Sequence, residues 1–359
     1  MERIYSRINS QMTVSRKHNL LSIQTMIVSF VSIGIFSWIP KQLFSSQMEA
    51  KVFNFGFYHL SLNPWTNSTP LDQFLTPWFL WVSRLVNRPE DVVLILDCIT
   101  IFSGVFLVMY FSHRVHWSFA LGLSFLLSSS PLFLIFQTWL GFSDPITFLL
   151  ISLYLILLYS ELKTKLKVFL LSLVLFLGQT NHFFQVLAIV SVLNVSFLIY
   201  HKEKIKELIF VMMLAFFMYV LFLIFILNHT AIVWNQTRVS VFSQMWGKEF
   251  IRMNTSEPFL GTLGLFHGLW PVVLFLLIRM PISILAFVFC YLISMLTYDT
   301  GRVFAILTTP IFILFSIENW RKATISEQRV WYFLTILSPL ICSFYPLFYK
   351  WDGKIIFLR

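Results

Sequence analysis

The chain has 359 residues, of which 58% are hydrophobic and only 12% charged, with 41 Phe, 12 Trp and a formal net charge of +10; its mean hydropathy is +0.79. Soluble domains carry about a quarter charged residues, so this composition excludes an ordinary soluble globule and points to an all-α, polytopic membrane bundle forming a single domain over 1–359. The basic residues are scattered between apolar runs with no groove-lining cluster of stacking aromatics, which argues against nucleic acid as a partner.

In chain order, the polar and basic first twenty residues precede a run without a small-residue cleavage signal, read as a retained span. Runs long enough to cross the hydrocarbon lie near 22–39, 92–112, 117–137, 145–160, 167–181, 184–200, 207–228, 259–278, 281–297, 303–317 and 330–349, about eleven spans in all. The stretch 70–86 fits either a further span or an interfacial helix, and 167–200 is a closely spaced pair. Cys98, Cys290 and Cys342 all fall inside apolar runs, which predicts small core residues and neither disulfides nor a metal site.

The positive-inside rule orients the bundle. A cytoplasmic N-terminus collects fifteen of the twenty-six basic residues inside, including Arg114, Lys163, Lys165, Lys167, Lys202, Lys204, Lys206, Arg279, Arg321, Lys322 and Arg329. The short outer loops then hold only Arg302, and the long outer loops are 40–91 and 229–258. An odd span count puts the C-terminus outside. Glu49, Asp72, Asp144, His182, Arg238, Asp299 and Arg302 all fall on the outer side. Spans of fifteen or sixteen residues cover roughly 24 Å, less than the roughly 30 Å core, so Asp299, Arg302 and His182 are expected in a recess below the outer surface.

Four outer segments carry the chemistry. Loop 40–91 contains Glu49, Asp72 and the aromatic stretch around Trp78 and Trp81; its bland reading is an interfacial belt with solvated acids, its functional one a general base at Glu49 with Asp72 in reserve. Gly141-Phe142-Ser143-Asp144-Pro145 is a tight turn, in which Asp144 either caps the helix starting at Pro145 or faces a substrate or metal. Gly178-Gln179-Thr180-Asn181-His182 sets four hydrogen-bonding side chains in a turn, with His182 either solvated or a donor to phosphate or sugar. In Tyr298-Asp299-Thr300-Gly301-Arg302, ionisable groups at membrane depth mark function by default. Arg302 suits bidentate capture of a phosphate, and Asp299 is either its orienting partner or simply an i, i+3 ion pair. Arg238 and Lys248-Glu249-Phe250-Ile251-Arg252 carry a weaker anion-binding signal, and Asn67, Asn228, Asn235 and Asn254 sit in N-x-[ST] sequons. No phosphate-cradling glycine loop, zinc spacing or Ser-His-Asp order is present.

These features resemble the GT-C superfamily of polytopic glycosyltransferases that use polyprenyl-phosphate-linked sugars. The likeness rests on an inside N-terminus, Glu49 soon after the first span with Gly and Pro-aromatic elements behind it, the Gly-x-Ser-Asp-Pro turn, the Thr180-Asn181-His182-Phe183 turn and the Asp299-x-x-Arg302-Val303-Phe304 run. The family's frequent paired acids are missing, since Ala50 follows Glu49, and so is the large soluble domain of many members. The resemblance implies a GT-C-like fold in a bacterial plasma membrane, with Glu49 or Asp144 as catalytic base. Asp72, His182, Arg238, Asp299 and Arg302 would be substrate contacts, the acceptor a glycan, lipid or protein, and a divalent metal an optional cofactor. The competing expectations are an extracytoplasmic polysaccharide polymerase, a lipid-linked glycan flippase or transporter, and a scaffold subunit; the absence of an internal repeat speaks against a transporter.

Overall fold

The structure is a computed structural model that describes residues 23–40, 52–53, 56–69, 73–232, 266–294, 300–344, 347–349 and 355–357. Among them the fold is helical: α1 (Ile23–Pro40), α2 (Gly56–Leu62), α3 (Leu75–Ser83), α4 (Pro89–Arg114), α5 (Trp117–Ser128), α6 (Pro131–Thr138), α7 (Asp144–Leu158), α8 (Thr164–Leu198), α9 (Ile205–His229), α10 (Trp270–Arg279), α11 (Ser283–Ser294), α12 (Thr300–Lys322) and α13 (Ile325–Phe344). Two minimal ladders complete it. β1 (Val52–Phe53) runs parallel to β2 (Trp139–Leu140), and β3 (Leu347–Tyr349) antiparallel to β4 (Ile355–Phe357).

Five of the described helices are long and apolar enough to cross a membrane, or six with the pair α5–α6, which is bent by 53° at the break before Pro131. They suit a lipid environment, as expected for an integral membrane protein. Outward faces carry large apolar side chains, such as Phe210, Phe216, Phe217 and Phe225 on α9. Stretch 70–86 is settled by length: α3 has nine residues, about 14 Å at 1.5 Å per residue, and cannot span. Of the cysteines, Cys290 and Cys342 are buried as expected, but Cys98 is exposed, because it lies on the outward face of α4.

The 35-residue α8 is two arms and not one rod. Its backbone leaves helical geometry at His182 (φ −162°, ψ 77°). A Cβ on Gly178 would stand 2.7 Å from Val186 Cγ1, whereas eight residues of straight helix separate their ends by about 12 Å. Contacts with α7 confirm the reversal. Lys167 at the start of α8 donates to the carbonyls of Leu158 (2.8 Å) and Ser160 (3.2 Å), Asn181 reaches Ser143 and Thr147 at the opposite end of α7, and Asn194 accepts from Tyr154 (3.0 Å) on the way back. The two arms match the expected pair 167–181 and 184–200.

The same logic orients the other helices between an Asp144 end and a Tyr159 end. Arg114 pairs with Glu161 (2.7 Å) and Arg279 with Glu327 (2.7 Å), so α4 and α10 finish at the Tyr159 end while α13 starts there. At that staple the backbone N–H of Thr324 donates to Glu327 and holds its carboxyl below the usual carboxylate range, with Arg279 adding to the effect. Lys163, Lys165, Lys202, Lys204, Lys206, Arg321 and Lys322 lie on loops and helix ends at the Tyr159 end.

Helix α12 is the axis. Nearly all of its apolar stretch is buried, so it is apolar all round and has no hydrophilic stripe. Its interior polar atoms turn inward: Thr308 and Thr309 donate to the carbonyls of Phe304 and Ala305, each at 2.7 Å, ahead of Pro310. Gly178→Ala should therefore destabilise the folded chain by about 1–3 kcal/mol, although Ala is the better helix former, because the new methyl meets Val186. Adding Val186→Ala should recover part of the loss; thermal unfolding in detergent measures both.

Candidate functional site

At the Asp144 end four elements converge. Gly141 has a positive φ of 78°, which glycine adopts without strain, and it turns the chain from β2 into α7. Ser143 takes the cap position without a side-chain capping bond, and Asp144 opens the helix. The reading of Asp144 as the cap of α7 is thereby corrected: its carboxylate is only 2% exposed, and Oδ2 lies 3.4 Å from an Arg302 guanidinium nitrogen. Arg302, 7% exposed, enters from α12 and also lies over the Phe142 ring, with Cζ 5.4 Å from the centroid.

Asn181, at the turn of α8, is completely buried and pins this corner. It donates to the Ser143 carbonyl (3.2 Å) and Thr147 Oγ1 (2.9 Å) and accepts from Thr76 Oγ1 (2.5 Å) on α3. One amide thus joins α3, the α7 start and the α8 turn. Below it, Phe57 and Leu80 from α2 and α3 pack against Val92, Leu96, Ile146 and Leu150. The ladder of β1 on β2 ties the segment before α2 to the segment just before Asp144. Helices α2 and α3 therefore pack on the bundle.

His182 is buried at the α8 break, beside Asn181, and is not a solvated turn residue. Asp144, His182 and Arg302 consequently share one end of the bundle. Glu49, Asp72, Arg238 and Asp299 lie outside the described residues, as does Lys248–Arg252. In sequence, Glu49 stands three residues before β1. Among the described residues, no three His, Cys, Asp or Glu side chains gather to hold a metal ion.

The sequence reading passed over a second buried charge, at the far end of α12. Glu318, with a side chain 5% exposed, accepts from Tyr159 Oη (2.7 Å) and faces His201 Nε2 (3.3 Å) and Arg321 (3.6 Å). The available signal was an acid closing an apolar run beside Asn319, one residue beyond the expected span limit. Its partners join α7, α8 and α12 where the lysines cluster, so it reads as the anchor of that end.

Comparison with protein-family models, curated proteins and solved structures finds no match to this chain.

A buried ion pair is costly to break and cheap to replace whole. Asp144→Asn, which leaves Arg302 buried against a neutral amide, should destabilise the protein by about 3–5 kcal/mol. The double variant Asp144→Leu/Arg302→Met should regain most of that. A double-mutant cycle on thermal unfolding reads the coupling, and simple additivity would dismiss the pair.

Proposed function

We propose that the chain is a polytopic glycosyltransferase of GT-C type that moves a sugar from a polyprenyl-phosphate donor to an acceptor hydroxyl outside the cytoplasm. The observation that carries the reading is the buried Asp144–Arg302 pair, drawn from two helices at the end of the bundle that also holds His182. A cation already held by a carboxylate is preorganised for an anionic ligand, and a stable fold has no need of charge there. The opposed directions of α4, α7, the arms of α8, α10 and α13 support a bundle of repeated passes, and with the N-terminus inside the basic Tyr159 end is cytoplasmic.

In this mechanism the lipid phosphate lies against the outer face of Arg302, which donates to its oxygens while Asp144 keeps the guanidinium oriented. Glu49 takes the proton of the acceptor hydroxyl. The acceptor oxygen bonds to the anomeric carbon from the side opposite the phosphate, inverting it, and the electron pair of the breaking C–O bond passes to the phosphate oxygen. Arg302 stabilises the charge that develops there. His182, Arg238, Asp72 and Asp299 are further substrate contacts. Asp144, engaged with Arg302, becomes a positioning residue and Glu49 the base.

Arg302→Ala and Glu49→Gln should each lower sugar transfer from a polyprenyl-phosphate donor in proteoliposomes by about a hundredfold or more. Full activity in both variants would sink the assignment, and movement of intact lipid-linked glycan without a new glycosidic bond would indicate a transporter. Sidedness has its own check: in a Cys98→Ser background, a cysteine at the exposed position Arg88 should react with an impermeant reagent from outside, and one at Lys163 only after permeabilisation.

A further inference from the structure

The turn of α8 contains one amide that is fully used and two that are not. Asn181 makes three hydrogen bonds. Gln185, three residues beyond the His182 break, is 93% buried by its 7% exposure, yet neither its Oε1 nor its Nε2 meets a hydrogen-bond partner. Among the described residues it is the one side chain whose two polar atoms are both buried and unmatched. Gln179, three residues before the break and 1% exposed, has an unmatched Oε1. The contact of Gly178 with Val186 brings the two arms of α8 together at this level, with Gln185 near the turn on the arm that leads away from His182.

Burying a primary amide with neither donor nor acceptor satisfied works against folding, and an apolar residue of the same shape would fill the space at no such cost. Such groups persist where a ligand completes them. The chemistry defines the ligand. An amide offers a donor and an acceptor without charge, which matches a hydroxyl, itself both donor and acceptor. The location defines it further, since the same turn binds Ser143 through Asn181, and Ser143 precedes the Asp144 that holds Arg302.

We propose that Gln185 forms the subsite for the hydroxylated part of the donor, binding a sugar hydroxyl while Arg302 takes the phosphate. The inference deepens the glycosyltransferase reading and rests on it for the identity of the donor. Gln185 is then a specificity-determining residue: it distinguishes a sugar-bearing lipid phosphate from the bare one.

The test uses the full chain in a detergent without a sugar head group. Thermal stabilisation is titrated with short-chain polyprenyl phosphates bearing glucose, mannose or N-acetylglucosamine, and with the bare polyprenyl phosphate. In the wild-type chain at least one sugar-bearing lipid should bind more tightly than the bare one. Gln185→Met, which keeps the length and removes the amide, should cut that preference by about tenfold or more while leaving the affinity for bare polyprenyl phosphate unchanged. The unliganded variant should unfold at a temperature equal to or above that of wild type, because an unmatched polar group has gone; Gln185→Leu serves as the second variant. An unchanged preference in both variants overturns the subsite, as does a clear fall in the melting temperature of both, which would make Gln185 a structural residue. Equal binding of all four lipids by the wild-type chain overturns it as well. Sugar-dependent stabilisation with no binding of bare phosphate leaves the subsite standing and removes the phosphate role of Arg302.

Discussion

The arrangement of this protein follows from the burial of α12. A helix enclosed on every side cannot place a charge along its length, so charge is confined to its two ends and must be answered there by other helices. Arg302 at one end is answered by Asp144 of α7, and Glu318 at the other by Tyr159 and His201. These two junctions hold α7, α8 and α12 in a common register. They also give the bundle two unlike ends, one with an internal acid–base pair and amide-rich turn, the other rich in lysine.

The turn of α8 connects this constraint to function. A helix that reverses at His182 exposes backbone and polar side chains where two apolar arms meet, a cost that a membrane bundle tolerates only where protein satisfies those groups or a ligand can enter. Asn181 shows the first solution, because it closes the α3, α7 and α8 corner with three bonds. Gln185, whose amide stays unmatched, would follow the second in the proposed donor subsite. The contrast between two amides four residues apart is informative because both are deeply buried, so exposure to solvent explains neither.

Much of this was legible in the residues. The apolar runs give the helices α1, α4, α7, α9 and α12 to within a few residues, and the polar run Gln179–His182 marks the reversal inside α8, because no other feature interrupts 164–198. Asp144 and Arg302 each stood out as a charge beside an apolar stretch. Their pairing did not, since 158 residues separate them and the nearest acid in sequence, Asp299, was the natural partner for Arg302. Glu318 escaped notice because an acid at a helix end beside Arg321 and Lys322 looks like an ordinary solvated terminus.

Sequence by itself determined the class: too apolar and too sparsely charged for water, with runs whose lengths match a bilayer and basic residues on alternate connections. It also determined where reactive groups stand along the chain, because a charge in an apolar run is visible without coordinates. Only the tertiary structure decided which of those groups meet. Local spacing carries no information about helix-to-helix register, and in a buried site it is register that chooses Asp144 for Arg302, Asn181 for Ser143 and Thr76, and leaves Gln185 with its amide unanswered.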